Sequence, residues 1–417
     1  MGLSRTLIVV AFIGIASSAK LVHAVDPRGW SPLESPRAIA PGPAPIAGAR
    51  APIDFTPDER QRVQALGPWP PAFTRDPSNR VSGNARAIEL GRRLFSDARM
   101  SPVGYIGCVT CHQPDRAFID LRARAHGLAD LPRNTPTLAN LRLQQWYGWG
   151  GASDSLWMAS IRPMLDAREL DSSPGFVNRV FDRDPALTAC YRRVFGKLPH
   201  ANRSTVVNVG KALAAFEETL VTARTPFDEF RDALLSRDNV AVARYPVAAQ
   251  RGLKVFVGAG GCIRCHAGPN LSDGRFHRLT PAGDTAINAI NAINESADTG
   301  RLEGARLLRT SAYNLLGHYN DDPTRRNATP TSRVTADEDL RGAFRTPSLR
   351  GVAITGPYLH DGRNERLTDA LMHPHDNAAL PPIDRHQRAD LEAFLRTLTD
   401  RYGEQRPWPP AAPIVCR

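Results

Sequence analysis

The sequence predicts a mostly α-helical protein made of two homologous halves. Three observations carry that reading. A helix-ending pattern, "ELGRRLF" closing at Phe95, recurs as "QRGLKVF" closing at Phe256, and each copy is followed by a cysteine-rich motif, "GCVTCH" or "GCIRCH". Such internal self-similarity marks duplicated structural units. Between the copies, "STVVNVGKALAAFEETLVTA" has the periodicity of an amphipathic helix, with Ser204 or Thr205 as its N-terminal cap. Strand-like stretches are few and short. The 417 residues suit two domains of ordinary size.

Taken in order, residues 1–24 read as a signal peptide. Arg5 supplies the positive start, Leu7 to Ala16 the apolar stretch, and Val22-His23-Ala24 the small-residue site. That apolar run is short for a membrane helix, and no later run is long enough to span a bilayer. Export to a bacterial periplasm follows as the expected location. Residues 25–80 are rich in proline, alanine and glycine and read as an extended arm. The first helical domain is expected over 81–240 and the second over 241–402. Glycine and aspartate in 273–300 suggest a long loop, and 403–417 form a proline-rich tail.

The formal net charge is +11, and removal of residues 1–24 takes away Arg5 and Lys20, leaving +9. A basic surface steers acidic redox partners. Nucleic acid is not an expected partner, because the chain is exported and lacks interleaved basic and aromatic residues. Of the six cysteines, Cys190 and Cys416 stand outside the repeats. In an oxidising compartment they either pair or remain separate.

The other four fall in Cys108-Val-Thr-Cys111-His112 and Cys262-Ile-Arg-Cys265-His266. Cys-x-x-Cys-His is the attachment pattern of c-type haem. Two thiols bond the two vinyl groups of one porphyrin, and the adjacent histidine becomes the proximal iron ligand. A zinc site would place the two halves together and has no need of the histidines. A redox dithiol would sit in a βαβ setting, which is not visible. Two covalently bound haems c are therefore expected, in two homologous c-type cytochrome domains. Their opposite faces then decide between electron carriage and reaction with peroxide or oxygen.

The stretches "ELGRRLFSDARMS", "RNTPTLANL", "CHAGPNLSDGRFH" and "GAFRTPSLRGVAITGPYLHDG" resemble the dihaem cytochrome c peroxidase and MauG family from about Arg86 to Arg401. The resemblance implies haems that face an interdomain region. It also implies a peroxide-reacting haem on His112 and an electron-transfer haem on His266. Trp149, in "WGGASDSL", matches the family's tryptophan between the haems. Glu169, six residues after Pro163, matches its distal carboxyl, which moves a proton between the oxygens of bound peroxide. Ala159 stands where the family often has a glutamine. His126, eight residues before Asn134, matches the histidine that caps the peroxidatic iron in reductively activated members. Asn134, Thr355 and Pro357 match ligands of an interdomain calcium ion, suited to hard oxygen donors. His277 matches a family position that implies hydrogen bonding near the second haem, and His360 matches one without an assigned ligand role.

The second haem's distal ligand would fall fourteen residues beyond His360, on Pro374, which has no donor. His375 is then the first candidate and Met372 the second, ahead of His373 or an open face. Three functions stay open at this point. One is a periplasmic peroxidase that reduces hydrogen peroxide with electrons from a small cytochrome c or cupredoxin. Another is a MauG-like enzyme that oxidises a residue of a protein substrate. The third is a non-enzymatic electron-transfer protein. The resemblance also makes a homodimer conceivable.

Overall fold

The computed structural model describes residues 53–199, 202–278, 298–371 and 383–400. Helices α1 (Pro57–Gln64), α2 (Ala85–Phe95), α3 (Cys108–Cys111), α4 (Leu156–Leu165), α5 (Pro174–Arg183), α6 (Pro185–Phe195) and α7 (Asn202–Glu217) come first. Then follow α8 (Pro226–Ser236), α9 (Asn239–Ala243), α10 (Val247–Val257), α11 (Arg301–Thr310), α12 (Thr329–Ser332), α13 (Leu367–Ala370) and α14 (Arg385–Arg396). Two three-residue strands, β1 (Phe276–Arg278) and β2 (Ala343–Arg345), pair antiparallel with His277 opposite Phe344. The mostly α prediction holds. Among the described residues no helix is long and apolar enough to cross a membrane.

Two hydrophobic cores organise the chain. One gathers Leu94, Phe95, Trp157, Ile161, Phe181, Tyr191 and Leu213 from α2 and α4 to α7. The other gathers Phe227, Phe230, Leu253, Phe256, Leu391 and Phe394 from α8, α10 and α14. Their membership crosses the boundaries drawn from sequence. Leu308, Leu315 and Ala328 pack into the first core, while α8 packs into the second. Residues 25–80 also contain structure. Thr56 caps α1 through a reciprocal box with Glu59, and Val63 and Leu66 are buried in the second core. A helix of two turns is too short to leave a periodic signal.

The repeat has a physical meaning. A Cβ at Gly91 would lie 1.9 Å from the Ala212 carbonyl oxygen, and one at Gly252 would lie 1.9 Å from the Asp390 oxygen. Each repeated helix thus crosses a later helix, α7 or α14, at a glycine that lets two backbones touch. Alanine at an unconstrained helix position stabilises by about 1 kcal/mol over glycine. Here we expect the opposite sign: G91A and G252A each lose about 1–3 kcal/mol, because the helices must part. Urea unfolding of both variants measures it.

One helix start differs from expectation. α7 already runs from Asn202, so Ser204 and Thr205 lie inside it rather than at its cap. Thr205 is fully buried, and packing of α7 against α2 and α4 outweighs the local capping preference of a hydroxyl residue.

Candidate haem sites and the wall between them

Each Cys-x-x-Cys-His motif closes one tight turn. The His112 N–H donates to the Cys108 carbonyl at 2.9 Å, and the His266 N–H donates to the Cys262 carbonyl at 2.9 Å. On such a turn, residues three and four apart share a face. Both thiols and the imidazole therefore present together. The four cysteines are free of disulfides.

The two imidazoles are oriented alike. His112 Nδ1 lies 3.0 Å from the Phe118 carbonyl oxygen, and His266 Nδ1 lies 3.1 Å from that of Leu271. A carbonyl only accepts, so Nδ1 carries the proton and Nε2 keeps its lone pair for a metal. Both acceptor residues have left-handed backbones, with φ of 61° at Phe118 and 51° at Leu271. Non-glycine residues take that conformation at a cost of about 1–3 kcal/mol. Its recurrence in both halves ties the strain to aiming the histidine.

Each motif opens on a cavity, of about 1150 Å³ at His112 and about 1030 Å³ at His266 including the open mouths. The first is lined by Cys108, Cys111, Ala159, Ser160, Arg162, Pro163, Glu169 and Glu217, among others. Pro163 lies inside α4 and has no N–H, so the Ala159 carbonyl loses its helical donor on the cavity side. Burial raises the Glu169 carboxyl to about pH 7, helped by the charge of Asp166 and opposed by Arg162 and Arg168. A Cβ on Gly127 would meet the Glu169 Cα at 2.8 Å, so this glycine lets the 125–131 loop close against Glu169.

The second cavity is lined by Cys262, Cys265, His266, His277, Phe344, Leu349, Tyr358, His360 and Leu371, among others. His277 Nε2 bonds Asp273 at 2.8 Å. His360 stacks on Phe344 with ring centres 3.6 Å apart. Its Nδ1 is buried without a partner, and burial lowers the ring to about pH 4, so it is neutral at pH 7.

A thin wall divides the cavities. Tyr147 and Gly148 line the first and Trp149 the second, while buried Arg345 lines both. The Arg345 N–H donates to the Trp149 carbonyl at 2.9 Å. The Trp149 indole N–H donates to the Asn134 carbonyl at 2.9 Å, and the Asn134 N–H donates to the His360 carbonyl at 2.7 Å. Arg301 from α11 fixes the adjoining Gly150-Gly151 turn by bonding both carbonyls, at 3.2 and 2.7 Å.

Residues 85–234 match the family model described as di-haem cytochrome c peroxidase. Over 324 residues the chain is 32% identical to the methylamine utilization protein MauG of Methylorubrum extorquens, covering 75% of this chain and 77% of that one. The chain belongs to the di-haem cytochrome c peroxidase family. It is 26% identical to the cytochrome c551 peroxidase of Nitrosomonas europaea over 76% of this chain and 80% of that one. Among solved structures, a MauG-like protein associated with microbial copper homeostasis superposes with TM-score 0.57 at 25% identity, over 82% of this chain and 98% of that one. The diheme peroxidase BthA from Burkholderia thailandensis superposes with TM-score 0.59 at 21% identity, over 80% and 88%, and shares the fold.

As a member of this family the chain is an oxidoreductase of the dihaem peroxidase type, which removes the non-enzymatic alternative. The cavities fit two haems. Each offers two thiols outside any disulfide, an imidazole whose Nδ1 faces a backbone carbonyl, and space in front of them; the second also holds the unpartnered His360 nitrogen.

The other sequence expectations meet the structure unevenly. The His126 ring is half exposed, bonds Asp130 at 2.6 Å and does not line the first cavity. Asn134 is buried beside the 355–360 segment, with its amide donating to the Arg122 carbonyl at 2.8 Å. Thr355 Oγ1 lies 3.4 Å from the Val352 carbonyl. Met372, His373, Pro374, His375, Cys416, the leader and the tail lie outside the described residues. Sequence reasoning passed over Gly127, Ser160, Glu217 and Arg345. Glu217 did carry a signal: it shares the buried face of α7 with Val206, Gly210 and Leu213, at helical spacing.

Proposed function

We propose that this dihaem peroxidase reduces hydrogen peroxide in the periplasm with electrons from a small cytochrome c or cupredoxin. The observation that carries the reading is Glu169: a buried carboxyl, raised to about pH 7, on the wall of the cavity that holds His112. When bound, the haem supplies an iron that binds peroxide and exchanges electrons with it. Glu169 takes the proton of the bound oxygen and returns it to the outer oxygen, so that water leaves. Arg162 beside it favours the carboxylate. Cavity walls of Leu138, Leu141 and Leu156 limit water around the reacting atoms. The His126 ring stands outside that lining, bonded to Asp130.

In this reading Trp149 passes electrons from the second site to the first, and Arg345 holds the Trp149 carbonyl in place. Asn134, Thr355 and Pro357 would hold a calcium ion whose site borders the Trp149–Asn134–His360 chain of hydrogen bonds. His375, and after it Met372, remains the candidate ligand opposite His266. The deciding experiment adds peroxide and a reduced small cytochrome to the dihaem protein and follows peroxide loss. Steady consumption is expected; none at any donor concentration would reject the reading. W149F is expected to slow that turnover while leaving the first reaction of the half-reduced protein with peroxide unchanged. Stopped-flow spectra separate the two steps.

A second reading has support of its own. The similarity to MauG at 32% identity, together with Ala159 in place of a polar distal side chain, favours oxidation of a residue on a protein substrate. It is distinguished by a long-lived oxidised spectrum after peroxide and poor turnover with small donors.

A further inference from the structure

Glu217 is a second buried carboxyl in the first cavity, and the mechanism above gives it no task. It ends α7 and lines the same cavity as Ala159 and Pro163 of α4. Its Oε2 lies 3.2 Å from Ser160 Oγ, which itself lies 2.8 Å from the Leu156 carbonyl oxygen. A hydroxyl has one proton, and a carbonyl can only accept one. The Ser160 proton is best used on the Leu156 carbonyl, and Ser160 Oγ then accepts from Glu217. Such an arrangement requires Glu217 to carry a proton. A buried carboxyl on an otherwise apolar helix face is costly, and remaining neutral is its cheapest state.

Reduction of hydrogen peroxide to two waters takes two electrons and two protons. The O–O bond breaks, and the first water leaves with the peroxide's own two protons. The oxygen left behind takes two electrons from the donor protein and two protons to become the second water. Glu169 relays a proton in the first half but supplies none in net terms. We propose that Glu217 holds one of the two protons for the second water and releases it into the cavity as the electrons arrive, the other coming from solvent water. The proposal rests on the peroxide-reduction reading.

Burial raises Glu217 to about pH 8, and the nearby Glu218 charge adds to the rise. The groups around it are Glu218 just past the end of its helix, Ser160 and Arg162 on α4, Glu169 after α4, Cys108 on α3, Tyr147 on the dividing wall and Arg345 on β2. Glu218 is tied away from the cavity by Ser82, whose hydroxyl donates to it at 2.8 Å. Below about pH 8 Glu217 holds its proton; above that it does not.

The test compares holoprotein with E217Q, which keeps size and polarity but cannot release a proton. Two measurements are made against pH: the midpoint potential of the N-terminal haem, and the rate at which peroxide-treated protein returns to its starting spectrum with reduced donor. In the parent protein both are expected to fall as pH rises past about 8. In E217Q the potential loses that dependence, and the return slows at pH 7 by on the order of a hundredfold, while the first reaction with peroxide is unchanged. An E217Q protein with the parent's potential profile and return rate would overturn the proposal. S160A keeps the carboxyl but removes the oxygen that accepts its proton, so both profiles shift downward in pH; unshifted profiles would also overturn it. A parent protein that consumes no peroxide rejects the peroxidase reading instead, and the potential profiles then still show whether Glu217 exchanges its proton with haem reduction.

Discussion

Glu169→Gln slows the first reaction with peroxide by about 10²–10⁴-fold, the usual worth of a positioned acid–base group. Glutamine preserves the shape but cannot accept the proton of the inner oxygen. Haem attachment through Cys108, Cys111 and His112 is unaffected, so the optical spectrum of the oxidised protein is retained. The pH profile gives an independent check. Burial holds the Glu169 carboxyl near pH 7, and the carboxylate is the form that accepts the proton. The rate of the first step therefore climbs as pH rises through about 7 and then levels off, and E169Q loses that climb. Stopped-flow mixing of half-reduced protein with peroxide measures both. A parent rate flat between pH 6 and 8, equal to that of E169Q, would remove Glu169 from the reaction.

Arg350→Met destabilises the protein by about 3–5 kcal/mol, the cost of leaving one partner of a buried ion pair alone. Arg350 and Asp228 are both fully buried and share two parallel contacts of 3.0 Å. The same guanidinium donates to the Pro269 carbonyl at 2.6 Å and stacks over Trp69 at 3.6 Å. It thereby joins α8, the loop just after the second haem motif and the proline-rich arm. Methionine fills the volume but leaves the Asp228 carboxylate, among the described residues, with only Thr225 as partner. The double variant D228N/R350M is expected to be less destabilised than R350M alone, because no charge remains buried. Urea titrations of the haem-loaded proteins decide; a loss below about 1 kcal/mol for R350M would show that the pair is not holding the arm and loop together.

Much of the first haem site was legible in the sequence. Cys108, Cys111 and His112 lie on one turn, so their spacing alone states their geometry. The repeated glycines, Gly91 and Gly252, were visible as a pattern, though their reason was not. It lies in Ala212 and Asp390, more than a hundred residues away in each case. The family resemblance led to Glu169 and Trp149, whose immediate neighbours offer no hint that either lines a cavity. The same resemblance led to His126, whose carbonyl lies 3.7 Å from the Cys111 thiol while its ring contacts Asp130 at 2.6 Å. Ser204 and Thr205 show a limit of local reading, since a good capping residue does not begin a helix that packing has already extended.

By itself, the sequence pointed to two haem-attachment motifs and to a protein built mostly from helices in two similar halves. Both follow from short-range chemistry: ligands within five residues, and side-chain periodicity within a few turns. The tertiary structure decided which groups line the two cavities. Glu169 and Glu217 stand as shielded carboxyls on one cavity only because α4, α7, the Gly127 loop and β2 converge there. Arg345 joins the two cavities only because β2 pairs with β1 and docks on the Trp149 turn. Desolvation is the sum of contributions from distant segments, and no local stretch of sequence contains it.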